Sequence, residues 1–269
     1  MKLNVEITGA GAPLMLIHGW GLRGDVWGEA GQKLAQHFTV HCVDLPGYGA
    51  SENIVPYNLE ALVESLSDYA RQNIFAKNNL APSLTVCGWS LGGQVALRWA
   101  ERAPQQVRRL ILVATTPCFV QRADWPCAMP QEIFQEFAQA LQHHPAQTLK
   151  RFISLQVRGS AYERELLATL RGLNKNQATL AALSSGLDIL RDTDLRKSLP
   201  HIIQPTLVIA GDKDELTPAA ASNYLAQNLP HARLAKIAQA AHVPFLSHMD
   251  IFAKLILGFC VENEGLYSP

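Results

Sequence analysis

The chain has 269 residues, of which 48% are hydrophobic and 17% are charged, and its 23 Lys and Arg balance 23 Asp and Glu. A chain of this size and composition buries a substantial core, which excludes a disordered protein and suits one large α/β domain or a domain with an insertion. The formal net charge of zero gives no global attraction to nucleic acid or to an anionic membrane.

The N-terminal segment, residues 1–6, lacks the basic and then apolar pattern of a signal peptide, and no stretch approaches the ~20 apolar residues of a membrane span. Five cysteines, an odd number without Cys-x-x-Cys spacing, argue against both a disulfide framework and a zinc site. We therefore predict a cytoplasmic monomer with reduced thiols that binds neither nucleic acid nor membrane.

Short apolar runs predict the strands of a parallel sheet that is buried on both faces. Helical patterns at 59–75 and 94–102 separate some of these runs and predict the helices that cover the sheet. Ligands bind at the carboxyl ends of the strands in such sheets, so the residues that follow each run are candidates for a site. The five runs are 14–17, 40–43, 84–87, 110–114 and 206–210.

The strand signal disappears between residue 117 and about residue 190. Helical patterns at 130–141, 146–157 and 163–173 occupy this stretch, with breaks predicted at Pro145, Gly159 and Gly172. An all-helical stretch between two strands of a parallel sheet predicts an inserted lid. The predicted domains are an α/β core, 1–116 and 191–269, and a helical lid, 117–190.

The pentapeptide 88–92, Gly-Trp-Ser-Leu-Gly, joins an apolar run to a helical pattern, as a nucleophile elbow does. A serine hydroxyl becomes a useful nucleophile when a sharp turn exposes it near backbone N–H groups that bind the developing oxyanion. We predict that Ser90 is the nucleophile and that the N–H of Leu91 is one oxyanion donor. The loop after the first run predicts Trp20 N–H as the second donor and His18 as a structural residue that bonds the loop backbone.

A serine hydrolase also needs a histidine base and a carboxylate that orients it. Asp214 and His242 follow Ser90 in the order serine, acid, histidine, and each lies in a loop after an apolar segment. Asp212 and Glu215 are competing carboxylates, and His248 is the alternative base.

With these motifs the chain resembles the α/β-hydrolase superfamily over essentially its full length. Three segments carry a closer resemblance to the BioH family, the pimeloyl-[acyl-carrier protein] methyl ester esterases of biotin synthesis: 18–22 (His-Gly-Trp-Gly-Leu), 88–93 (Gly-Trp-Ser-Leu-Gly-Gly) and 240–248 (Ala-Ala-His-Val-Pro-Phe-Leu-Ser-His). The resemblance implies an α/β-hydrolase fold, a mostly parallel sheet flanked by helices with an inserted helical lid. It also implies hydrolysis of a methyl ester on pimeloyl-acyl-carrier protein, with release of methanol and with no metal or organic cofactor.

Basic residues concentrate on the lid, as a surface for an acidic carrier protein requires. The resemblance implies docking through four arginines, of which Arg151 and Arg164 match two, whereas Gln147 and Ala168 stand at the other two places. The alternative is a solvated helix face with local ion pairs. Between 147 and 175 the net charge is +4, from the cations Lys150, Arg151, Arg158, Arg164, Arg171 and Lys175 and the anions Glu163 and Glu165.

Lys150 or Arg158 would replace the two missing arginines in docking the carrier. Phe152 and Gln156 match the family's substrate-contacting segment Phe-x-x-x-Gln, although Phe152 also suits ordinary packing on an amphipathic helix.

Two further functions are consistent with the same motifs. A general short-chain carboxylesterase or a carbon–carbon bond hydrolase would use the same three residues, and a non-catalytic ligand receptor would keep the fold with a damaged triad. Dehalogenases and epoxide hydrolases are disfavoured because they carry Asp at the elbow, where this chain has Ser90.

Overall fold

A seven-stranded sheet forms the centre of the computed structural model, which describes residues 2–76, 84–173 and 178–262. The strands are β1 (Val5–Thr8), β2 (Ala12–Ile17), β3 (Phe38–Val43), β4 (Leu84–Trp89), β5 (Val107–Val113), β6 (Thr206–Gly211) and β7 (Ala232–Ile237). Their spatial order is β1-β3-β2-β4-β5-β6-β7; β1 pairs antiparallel with β3, and all other neighbours are parallel.

The five predicted strands are all present, as β2 to β6. Every residue of β4 and β6 is buried, which explains why these strands read as continuous apolar runs. The two strands at the sheet edges, β1 and β7, were not predicted. Their residues are mostly half-buried or exposed, so neither strand needs the unbroken apolar run by which the others were found.

Helices cover both faces of the sheet, and alternate residues of each strand face opposite layers. The core helices are α1 (Gly28–Leu34), α2 (Leu59–Ala70), α3 (Leu91–Arg102), α8 (Ala219–Asn228), α9 (Pro244–Ser247) and α10 (Met249–Glu262). Leu14 and Leu16 of β2 pack in the layer that contains α1 and α10, whereas Met15 and Ile17 pack in the layer that contains α2 and α3. A π-helical segment, Arg71–Phe75, continues α2 to the end of the predicted helix.

The described residues of the inserted segment, which leave out 174–177, contain four helices: α4 (Gln131–His143), α5 (Pro145–Val157), α6 (Glu163–Leu173) and α7 (Leu180–Asp192). Pro145 is the first residue of α5, and Gly159, at φ 78°, separates α5 from α6 as expected. Gly172 is the penultimate residue of α6, whose bounds are those predicted for this helix. Lys175 falls outside the described residues.

The two ends of the insertion leave the core side by side. Leu195 N–H donates to Pro117 O at 2.8 Å, and Cys118 forms an isolated β-bridge with Asp194. Helix α7 continues to Asp192, two residues beyond the boundary predicted at 190. The insertion therefore has a narrow base, and the exact division between core and lid stays a prediction.

In the described ranges, no helix is long and apolar enough to cross a membrane. The same ranges contain no group of three or more His, Cys, Asp and Glu side chains arranged to hold a metal ion.

Candidate active site

Ser90 lies in the turn between β4 and α3 with a backbone that L-residues rarely adopt. Its φ is 54° and its ψ is −118°, a conformation that costs about 1–3 kcal/mol and persists where the surroundings hold it. Two hydrogen bonds fix the peptide groups on either side: Ser90 N–H donates to Val113 O at 3.0 Å, and Ser90 O accepts from Thr115 Oγ1 at 2.7 Å. This is the geometry of the predicted nucleophile elbow.

The glycines that flank Ser90 allow the elbow to pack tightly. A Cβ atom at Gly88 would lie 2.2 Å from Gly92 O, and one at Gly92 would lie 2.4 Å from Ile17 O. Any larger residue at either position would therefore push α3 away from β2 and β4.

The structure brings Asp214 and His242 together in a buried pair. His242 Nδ1 lies 2.8 Å from Asp214 Oδ2, and both side chains are 1% exposed. Leu216 N–H and Thr217 N–H donate to Oδ1 at 2.9 and 3.0 Å, and Thr217 Oγ1 donates to Oδ2 at 2.6 Å. The carboxylate is therefore held at both oxygens.

These contacts keep the Asp214 carboxyl ionised. Burial by itself would raise the pKa of Asp214, but attraction to His242 and the hydrogen bonds from His242 and Thr217 outweigh burial and hold the pKa below its usual value. Since the carboxylate faces Nδ1, the proton of the neutral imidazole sits on Nδ1 and Nε2 is left as a base.

Trp89 connects the histidine loop to the elbow. Its indole Nε1 donates to His242 O at 2.8 Å, and its ring centroid lies 5.6 Å from the imidazole centroid. Because Trp89 precedes Ser90 in the chain, this bond keeps the His242 loop beside the nucleophile. Neither Trp89 nor Thr217 was predicted to act at the site, although Trp89 lies within the elbow motif, 88–92, and Thr217 lies three residues after Asp214.

The loop after β2 lies directly against the elbow. A Cβ atom at Gly19 would stand 3.0 Å from Ser90 Cβ, so the following residue, Trp20, has its backbone close to the nucleophile. Leu91 is the first residue of α3, and N–H groups in the first turn of a helix have no partner within the helix. The backbone of both predicted oxyanion donors therefore lies next to Ser90.

Comparison with known families agrees with this geometry. The family profile described as alpha/beta hydrolase fold matches residues 12–249. The chain belongs to the α/β-hydrolase family. Solved structures show the same fold: an esterase from Exiguobacterium antarcticum superposes with a TM-score of 0.86 at 24% identity, covering 96% of this chain and 94% of the other. A bromoperoxidase from Bacillus anthracis superposes with a TM-score of 0.87 at 21% identity, covering 96% and 95%.

Two relatives define more closely the group of α/β-hydrolases to which this chain belongs. A protein of Nitrosomonas europaea is 42% identical over 253 residues, 93% of this chain and 96% of the relative, and one of Stenotrophomonas maltophilia is 40% identical over 260 residues, 96% of each. Both are named pimeloyl-[acyl-carrier protein] methyl ester esterase. The hydrolase belongs to their family and is a carboxylic ester hydrolase.

Helix α5 of the hydrolase lid contacts the site at two points. Phe152 packs edge-on against the Trp20 ring with centroids 4.9 Å apart, and Gln156 O accepts from His242 N–H at 3.0 Å. The Gln156 side chain is fully buried, and neither its Oε1 nor its Nε2 has a partner among the described residues. An unpartnered buried amide is costly, so the two polar atoms of this side chain are an unmet hydrogen-bonding requirement beside the site.

The alternative acids and base of the hydrolase have other contacts. Asp212 Oδ1 accepts from Gln239 N–H at 2.7 Å, which fixes the loop before His242. Glu215 pairs with Arg158 at 3.5 Å, and His248 Nδ1 lies 2.8 Å from Ser247 Oγ. The geometry therefore favours Asp214 and His242.

The four predicted docking cations lie on α5, α6 and the turn between them, and all are exposed: Lys150, Arg151, Arg158 and Arg164. The ion pair between Arg158 and Glu215 joins side chains that are 58% and 56% exposed, so it contributes little to stability. The structure thus presents positive charge on the outer surface of the lid, while Phe152 and Gln156 of the same helix are buried.

Proposed function

We propose that this protein hydrolyses the methyl ester of pimeloyl-acyl-carrier protein and releases methanol. The observation that carries the proposal is the buried Asp214–His242 pair, tied through Trp89 to the strained elbow of Ser90, in a chain whose relatives are named for this reaction. The same pair makes a non-catalytic receptor a poor description of the chain.

In the first step, His242 Nε2 removes the proton from Ser90 Oγ as the oxygen attacks the ester carbonyl. Asp214 stabilises the imidazolium that forms, and its lowered pKa ensures that it is ionised at neutral pH. The carbonyl oxygen becomes an oxyanion, which the N–H groups of Trp20 and Leu91 bind.

Collapse of the tetrahedral intermediate breaks the bond to the methoxy group. The His242 imidazolium gives its proton to the departing oxygen, so methanol leaves and the acyl group stays on Ser90. Water then attacks the acyl-enzyme with His242 again as base, which yields the free carboxylate and restores the serine. All the groups needed come from one chain, and we therefore propose a monomer as the working unit.

A small apolar cavity in the lid marks where we propose that the acyl chain of the substrate enters. Four phenylalanines line it together with a methionine and leucines: Phe119, Phe134, Phe137, Phe152, Met129, Leu155, Leu187 and Leu190. Because Phe152 also packs on Trp20, the cavity adjoins the proposed oxyanion loop. The cavity volume is about 20 Å³, room for about one water-sized group, so an acyl chain would enter only by displacing these side chains. The free amide of Gln156 would hydrogen-bond a polar group of the substrate.

The exposed cations of the lid support a carrier-bound substrate. Acyl-carrier proteins are acidic, and Arg151 and Arg164 match two of the positions that dock the carrier in the family. Exposed charges steer association and weaken as salt rises, so docking should depend on ionic strength.

The test of the proposal is genetic complementation combined with a direct assay. The gene should restore growth without biotin to a strain that lacks this esterase, and the purified protein should convert the carrier-bound methyl ester to the free acid. If the protein cleaves small esters but fails in both tests, a general short-chain carboxylesterase is the better description.

A further inference from the structure

His18 makes two hydrogen bonds that connect neighbouring loops at the site. Its Nε2 accepts from Leu45 N–H at 2.9 Å, and its Nδ1 lies 2.7 Å from Gly19 O. The ring is fully buried and packs against Tyr48 with centroids 4.9 Å apart.

The two partners fix the tautomer of His18. A backbone N–H can only donate, so Nε2 must carry the lone pair, and a carbonyl can only accept, so Nδ1 must carry the proton. Burial lowers the pKa of His18 to about 4, against smaller opposing contributions from the Gly19 bond and nearby Asp44 and Asp25, so the ring stays neutral at physiological pH.

The bond to Gly19 O determines the direction of the next N–H group. In a trans peptide the C=O of Gly19 and the N–H of Trp20 point in opposite directions from one plane. The hydrogen bond that holds the Gly19 carbonyl at the His18 imidazole therefore points the Trp20 N–H away from the imidazole. Gly19 itself packs against Ser90, where a Cβ would stand 3.0 Å from Ser90 Cβ.

We infer that His18 is a positioning residue for the oxyanion site, because its Nδ1–H holds the Gly19–Trp20 peptide with the Trp20 N–H available to the oxyanion. The inference rests on the proposed serine esterase mechanism and adds a residue to it. As negative charge develops on the substrate, Trp20 N–H is polarised and Gly19 O becomes a stronger acceptor for the imidazole N–H. A rotated peptide would present a carbonyl oxygen in place of the donor.

Two substitutions separate the two bonds of His18. The amide nitrogen of His18→Asn stands the same number of bonds from Cβ as Nδ1, so it can still donate to Gly19 O. The amide oxygen of His18→Gln matches Nε2, so it can accept from Leu45 N–H while the donor to Gly19 is lost. Removing an oxyanion donor lowers kcat by about 10²–10³-fold. We expect H18Q to lose about 10-fold to 10²-fold in kcat, because the Trp20 N–H is still present and only its orientation is no longer held.

The assay is hydrolysis of a short p-nitrophenyl ester, with inhibition by an alkyl boronic acid whose adduct places an oxygen at the oxyanion position. H18Q should lose kcat with little change in KM, its boronate Ki should rise in parallel, and H18N should retain most of the wild-type kcat. His41→Asn is the matched control. His41 is a buried histidine of β3 whose Nδ1 lies 3.1 Å from Tyr69 Oη, and its substitution should leave kcat unchanged.

Circular dichroism and thermal unfolding keep the test independent of folding, since kcat is compared per folded molecule. Equal kcat in H18Q and wild type, or an equal loss in H18N and H18Q, would overturn the inference while the serine esterase mechanism stands. A wild-type protein that cleaves no ester would instead refute the mechanism itself.

Discussion

Replacing Asp214 by Asn should disable the base by imposing the wrong histidine tautomer. Two backbone N–H groups, from Leu216 and Thr217, point at Oδ1, so the Asn side chain must place its oxygen there. Its NH₂ group then faces His242 Nδ1, where the carboxylate oxygen was 2.8 Å away. Because NH₂ donates, Nδ1 must accept and the proton moves to Nε2, which can no longer take the proton of Ser90.

The expected loss in kcat is about 10⁴-fold, the size found for the equivalent change in serine proteases. At about 1.36 kcal/mol per factor of ten, this is about 5.4 kcal/mol of activation free energy. The shape of the side chain is unchanged, both backbone donors to Oδ1 keep their acceptor, and the Thr217 hydroxyl can rotate to accept from the new NH₂ group, so the variant should fold.

Steady-state hydrolysis of p-nitrophenyl butyrate measures this loss, and Asp212→Asn is the matched control. Asp212 lies two residues away and bonds Gln239 N–H, a contact that an amide oxygen preserves, so the control should stay within about tenfold of wild type. A larger loss in D212N than in D214N, or a loss below tenfold in D214N, would refute the assignment of the acid.

Three further outcomes are expected. Ser90→Ala should abolish ester hydrolysis and leave the circular dichroism spectrum unchanged, because the hydroxyl contributes little packing; residual turnover near wild type would remove Ser90 from the mechanism. Replacing Arg151 and Arg164 together by Ala should raise KM for the carrier-bound ester and leave hydrolysis of a small ester unchanged. The effect on KM should shrink in high salt, because charges are screened over ~8 Å at physiological ionic strength. Equal losses on both substrates would indicate a structural role for the two arginines. The pKa of Asp214 is lowered in the folded state, so its stabilising contribution is present above the unfolded carboxyl pKa of about 3.9 and is lost as pH falls through the lower folded value. The free energy of unfolding, measured with urea between pH 6 and 3, should therefore fall more in wild type than in D214N. Parallel pH curves for the two proteins would contradict this.

The parts of the fold that could be predicted are those in which one physical requirement, such as burial or a sharp turn, determines the residue types. Strands β4 and β6 must bury both faces, which leaves an apolar run, and the elbow must turn sharply, which leaves glycines at 88 and 92. Strand β7, Ala-Arg-Leu-Ala-Lys-Ile, lies at the sheet edge and mixes polar with apolar residues, so its sequence gives no comparable signal.

The identity of the three central residues could be proposed from motif order, but their supporting contacts could not. Thr217 reaches Asp214 through the conformation of the loop that both share, and Trp89 reaches His242 from a separate segment of the chain. Gln156 contributes a main-chain carbonyl that no side-chain pattern encodes. Helix α7 extends to Asp192, and the next residues return to the core through contacts of Asp194 with Cys118 and of Leu195 with Pro117, pairings between distant positions that no local pattern encodes.

The carbonyl of Gln156 has a consequence for engineering this enzyme. The insertion joins the core through a narrow base at Pro117 and Leu195, which makes it an inviting unit to exchange with that of another hydrolase. However, the N–H of His242 finds its acceptor in the insertion, so a transplanted segment that lacked a carbonyl at this point would leave a buried donor unsatisfied next to the base. Lid exchange in this scaffold therefore carries a design constraint at one backbone atom, independent of whichever side chains are chosen to change the substrate.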